Sequence, residues 1–196
     1  MKAAYHSILV HLATGPLVMA FVVATFYVWF PVRGDGILAK FRQASDSVVL
    51  YSVLFGAMMM GLAFVTGFLL IPAEAVLNSP ITKNKITLSA FAMVFWCTWL
   101  VLRYRSGRQL WSLRGYVGHY AYLMLVAGTM SLVAVNSIGG DIAGRPSGYE
   151  ALAATLGFQT RKTLYFPTWM NVLLLATGIL ALILAFVRRK NTKKTR

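Results

Sequence analysis

The sequence predicts an all-α integral membrane protein with five transmembrane helices, and three observations carry that prediction. Of its 196 residues, 58% are hydrophobic and only 12% are charged, and the mean hydropathy of +0.67 lies above that of ordinary soluble domains. Five apolar runs, 7–30, 48–72, 86–102, 117–137 and 166–187, are long enough to cross about 30 Å of hydrocarbon. Nineteen Lys and Arg oppose five Asp and Glu, and the cations stand beside the apolar runs. This basicity is topological, which argues against nucleic acid as a partner.

Charge placement orients the spans. Thirteen of the nineteen cations fall on one side if the tail "RRKNTKKTR" is cytoplasmic, together with the segments around Arg33, Lys40 and Arg42 and around Arg103, Arg105, Arg108 and Arg114. Lys and Arg are retained on that side during insertion. The N-terminus is therefore expected outside and the C-terminus inside, in a bacterial cytoplasmic membrane. Trp29, Phe30, Tyr104, Trp111 and Tyr116 at one boundary, and Tyr165, Phe166 and Trp169 at the other, agree with aromatic belts.

The first run, "AYHSILVHLATGPLVMAFVV", is too long and too poorly flanked for a cleaved leader and reads as a retained helix. His6 precedes the run, and His11 lies about 6 Å inside it at 1.5 Å per residue. Five residues on a helix is a rotation of about 140°, so the two imidazoles do not form the i, i+4 pair that chelates one metal. Gly15, on the face of His11, removes bulk where a flat ligand could lie. Pro16 removes a helix bond and bends the chain. Depth makes His11 the more constrained histidine and His6 an aqueous-edge residue.

The second run, "LFGAMMMGLAFVTGF", spaces Gly56, Gly61 and Gly67 so that neighbouring backbones can approach closely. Met58, Met59 and Met60 offer an alternative use as soft ligands, and their spacing selects none of them. The third run is the shortest; it is headed by Lys85 and contains the sole cysteine, Cys97, which reads as packing. The fourth begins at His119, near the cytoplasmic surface, and ends before Asp141. A long outer loop follows, whose "SGYEALAATLGF" reads as a short surface helix capped by Ser147 and Glu150, with Leu152, Leu156 and Phe158 as its apolar stripe. Residues 1–150 are expected to form a four-helix membrane domain. Residues 151–196 then add an outer amphipathic segment, a fifth helix and a basic tail.

A polar constellation is expected at the outer level, where His11, Glu74, Lys85 and Asp141 would converge if the first four helices form a bundle. A neutral imidazole there suits haem, a transition metal or a proton relay. His119 lies at the opposite surface, where it could contact haem or a quinone head group but could not share a metal with His11.

"YHSILVHLATGPL" resembles the opening H-P-x-x-V-H-F-P of the bacterial membrane family known as domain of unknown function two-two-three-one. "KITLSAFAMVFWCTWLVLR" resembles its third helix, and "LMLVAGTMSLVAVNSIGGDIAGRPSGY" resembles its fourth, which ends in Gly-Gly-Glu. The resemblance covers about residues 5–150 and leaves the fifth helix as an addition. It implies that His6, His11 and Asp141 take the places of two histidines and a terminal acid, whereas Lys85 stands where the family has a third histidine. It further implies a place in membrane electron transfer, because family members occur fused to Rieske or c-type cytochrome domains.

The function expected is thus an accessory or anchoring subunit of a bacterial electron-transfer complex. Its cofactor would be a b-type haem, with His11 as the iron ligand and His6 and Gly15 as further contacts, or a quinone, with His119 as a separate cofactor contact at the opposite surface. Its partners would be membrane and periplasmic redox subunits, with anionic lipid at the basic face. The alternatives are a structural membrane protein without cofactor and a small transporter. The transporter reading is disfavoured by spans with charge-free middles and no inverted repeat. No nucleophile paired with a base and no phosphate-binding loop suggests independent catalysis.

Overall fold

Five helices account for nearly all of the described chain, each long and apolar enough to cross a membrane. The structure is a computed structural model that describes residues 2–29, 37–72, 74, 78–107, 110, 116–144, 154–157 and 167–187. In order the helices are α1 (Lys2–Trp29), α2 (Ile37–Leu70), α3 (Pro80–Ser106), α4 (Tyr116–Ile142) and α5 (Thr168–Val187). The number of spans read from hydropathy is the number observed. α1 runs without interruption through Pro16.

Three helices begin several residues earlier than hydropathy alone indicates, α1 at Lys2 among them. α3 starts at Pro80, where Ser79 caps it by accepting the Thr82 backbone N–H at 3.4 Å, and Pro80 occupies the first turn. Proline is favoured there because its missing N–H would have no helical partner. The added turns carry Thr82 and Asn84, both buried, so the polarity that shortened the apolar run faces protein. α2 likewise starts at Ile37, and the carboxylate of Asp46 is buried by a partner on α3. Gly107 ends α3 at φ 61°, and Gly144 follows α4 at φ 68°, in the left-handed region that stops helices at little cost to glycine.

α1 packs along α2, and α3 packs along both α4 and α5, with smaller contacts between α2 and α3 and between α1 and α4. α3 therefore touches three neighbours and holds the largest buried side chains, Trp96 and Trp99. Close approach is built on glycine. A Cβ at Gly56 would stand 2.5 Å from Leu17 Cγ of α1, and one at Gly128 would stand 2.9 Å from the Trp96 ring. Gly61 faces Met93 of α3 and Gly67 faces His6 of α1, so all three glycines of α2 meet a neighbouring helix.

Polar bonds join the same pairs. Arg103 Nε donates to Asp46 Oδ1 at 3.1 Å and Nη2 to Oδ2 at 2.5 Å, a fork-to-carboxylate pair that links α3 to α2 with both side chains buried. Asn171 Nδ2 of α5 donates to Asn84 Oδ1 at 2.7 Å. Asn136 Nδ2 of α4 donates to Thr14 Oγ1 of α1 at 3.1 Å, and Tyr122 of α4 meets Thr25 Oγ1 and Trp29 Nε1 at 3.2 Å each.

Two measurements check this packing by reversible unfolding in mixed micelles. Gly56→Val or Gly128→Val forces a side chain into the opposing helix and is expected to cost about 1–3 kcal/mol, the scale of overpacking. Arg103→Leu leaves Asp46 buried without its cation and is expected to cost about 3–5 kcal/mol, whereas Asp46→Leu with Arg103→Leu recovers most of that loss.

Candidate functional site

His6 and His11 part company on α1, as their rotation requires. His6 is half-buried against α2, its Nδ1 3.2 Å from Thr66 Oγ1. The Thr66 hydroxyl hydrogen is already directed to the carbonyls of Leu62 and Ala63, so its oxygen accepts and His6 Nδ1–H donates. The imidazole presents its Cε1 edge to Gly67, with Cε1 3.1 Å from where a Cβ would stand and Nδ1 and Nε2 at 3.7 and 3.9 Å. Lys85 of α3 is close enough for its charge to act on His6. Its Nζ lies 3.4 Å from the Cβ position of Gly139 on α4. Four helices thus contribute to one polar cluster, and no carboxylate pairs with Lys85 among the described residues.

His11 turns the other way. It is exposed, and its Nδ1–H donates to the Ser7 carbonyl of its own helix at 2.7 Å. That bond settles the tautomer and leaves the Nε2 lone pair without a partner among the described residues. One turn on, Gly15 is exposed, and a Cβ there would meet nothing within 4 Å. Ile8, Leu12 and Met19 surround this notch as exposed apolar side chains. The ranking expected from depth is therefore inverted: His6 faces protein, and His11 faces away from it. Seven residues beyond the start of the apolar window at Ala4, His11 stands about 10 Å along the helix.

The remaining expected site residues spread out. His119 is exposed on α4, three residues before Tyr122, which bonds Thr25 and Trp29 near the far end of α1. His6 and Thr25 are about 28 Å apart along that helix, so His119 belongs to the opposite end of the molecule. Glu74 is exposed, and Asp141 is half-buried two residues beyond Gly139. Lys85 thus meets His6 rather than His11. Among the described residues no three His, Cys, Asp or Glu side chains gather as a metal site. Met58 is exposed, Met59 packs against the core and Met60 is buried. Cys97 is half-buried on α3. Ser147, Glu150, Leu152 and Phe158 lie outside the described residues, and Leu156 is exposed.

Asp46 and Arg103 were missed by sequence reasoning, which treated Arg103 as one more positive charge of an inner loop. The available signal was scarcity: with five acids in the chain, one standing at the edge of an apolar run marks a site where a cation is needed. No protein family, curated protein or solved structure matches the chain. The family resemblance therefore rests on the quoted residues alone.

The two histidines separate in mutagenesis. His6→Ala removes a bond between helices and is expected to lower stability by about 1 kcal/mol. His11→Ala removes only a contact within α1, and its unfolding midpoint is expected to stay within error of the wild type.

Proposed function

We propose that the chain is an accessory or anchoring subunit of a bacterial electron-transfer complex, seated in the cytoplasmic membrane, and that α1 presents one side of a cofactor site to a partner subunit. The observation that carries this reading is the outward imidazole of His11 above the open notch at Gly15. A polar nitrogen at membrane depth is costly unless something bonds it. A backbone carbonyl on Nδ1 is the arrangement that holds an imidazole with Nε2 ready as a ligand. His11 Nε2 would serve as a ligand to a b-type haem iron, with Gly15 leaving room beside it. The chain offers no second imidazole on that face, so the other ligand belongs to the partner. A haem bound there would supply one-electron transfer. A quinone head group hydrogen-bonded to His11 Nε2 uses the same face. The His6–Lys85 cluster is a second polar contact point on this end of the helices.

The N-out, C-in orientation completes the proposal, with α1–α4 as a four-helix bundle and α5 added against α3. Its support is the distribution of cations. In that orientation the His11 end faces the periplasm, where soluble or anchored redox subunits dock.

A purely structural role is the second reading, and one observation favours it: Asp46–Arg103, Asn84–Asn171 and Thr14–Asn136 spend the strongest polar side chains on joining helices. A single experiment separates the two. In the complex extracted in mild detergent from its native membrane, the first reading expects a reduced b-type α-band or stoichiometric extractable quinone. His11→Ala abolishes that signal, while His6→Ala and His119→Ala retain it. A signal indifferent to His11→Ala, or an intact complex with neither cofactor, leaves the structural reading.

A further inference from the structure

At the opposite end of the helices, α3 and α5 leave between them a groove of about 480 Å³, lined by Leu100, Val101, Tyr104, Arg105 and Phe186. Leu100 and Val101 are half-buried, whereas Tyr104 and Phe186 are exposed. Arg105 is also exposed, yet it is held. Its Nη1 donates to the Ala185 carbonyl at 2.6 Å and to the Phe186 carbonyl, two of the acceptors left open at the end of α5. These bonds fix the guanidinium at one margin of an apolar slot and leave Nε and Nη2 without partners among the described residues. Arg188, Arg189 and Lys190 follow α5 directly in sequence, and Arg108 follows α3 closely. No acid lies within ten residues of Arg105 on either side.

We propose that this groove binds an anionic phospholipid, with one acyl chain along Leu100 and Val101 and the phosphate on Arg105. An apolar slot open to the side of membrane helices matches a hydrocarbon chain. A fixed fork of N–H donors matches a phosphate. The excess of cations that follows α3 and α5 in sequence, with no acid beside it, favours a headgroup with net negative charge over a zwitterionic one. Bound lipid would also cover the α3–α5 seam where, among the described residues, the bonds at this end come from Arg105. The inference rests on the membrane-spanning reading and on anionic lipid at the basic face, and it is independent of the cofactor site on α1.

The test uses the full chain in nanodiscs with trace phosphatidylglycerol or phosphatidylcholine carrying a photoreactive diazirine on one acyl chain. Labelled peptides are mapped and normalised to labelling of the exposed face of α1 around Met19 and Val22. Phosphatidylglycerol is expected to label residues 100–105 and Phe186 at least five-fold more than phosphatidylcholine does. Arg105→Gln is expected to remove that preference, Arg105→Lys to retain part of it, and Val101→Trp to block labelling by filling the slot. Equal labelling by both lipids, or a preference that survives Arg105→Gln, overturns the proposal. Absence of label on α1 as well would instead remove the membrane-spanning reading on which it rests.

Discussion

Apolar side chains gain little by leaving lipid for one another, so five hydrophobic helices have no general force to hold them together. What holds this chain is close backbone approach and polar bonding, and both converge on α3. Its Trp96 lies on Gly128 of α4, its Arg103 binds Asp46 of α2, and its Asn84 and Arg105 bind opposite ends of α5. Without α3, α4 would keep only its smaller contact with α1 and the bond from the Tyr120 hydroxyl to the Ala181 carbonyl of α5, at 3.1 Å.

That concentration explains the distribution of polarity on α3. Thr82, Asn84, Thr87, Thr98 and Arg103 are buried, and a helix carrying so many polar groups is costly in a bilayer unless other helices cover it. Thr98 satisfies its hydroxyl on its own Val94 carbonyl, whereas Asn84 and Arg103 reach across to neighbours. The indole N–H of Trp96 has no hydrogen-bond partner among the described residues, which is the cost of pressing the ring onto Gly128. Geometry there has prevailed over hydrogen bonding.

The two ends of the molecule consequently differ in kind. At one end a cation, Lys85, sits half-buried beside an imidazole, while a second imidazole, His11, is turned outward. At the other end the cations are committed, Arg103 to a carboxylate and Arg105 to helix carbonyls. Bonds between helices occur at both ends, Asn84–Asn171 and Thr14–Asn136 among them at the histidine end, where the imidazole of His11 is turned away from the other helices. Proteins place binding groups on surfaces that a rigid scaffold supports but does not itself need. The α1 face around His11 and Gly15 has that character, since neither residue contributes to packing between helices.

Much of the fold was legible in the sequence for a simple reason. Crossing hydrocarbon demands an uninterrupted apolar helix, so the count of five spans follows from composition along the chain. The use of Gly56, Gly61 and Gly67 for close approach follows equally, because small residues are what such contacts require. The separation of His119 from His11 needed only helix length. What sequence alone did not determine was direction around each helix. His6 and His11 are five residues apart, and depth made His11 the more constrained and His6 an aqueous-edge residue, but the rotation of α1 against α2 turned His6 inward onto Thr66 and Gly67. Arg103 and Asp46 belong to separate elements 57 residues apart, and only the packing of α3 on α2 makes them a pair. Hydropathy is a property of position along a chain, whereas a site depends on angle and on neighbours, and these exist only once the helices have packed.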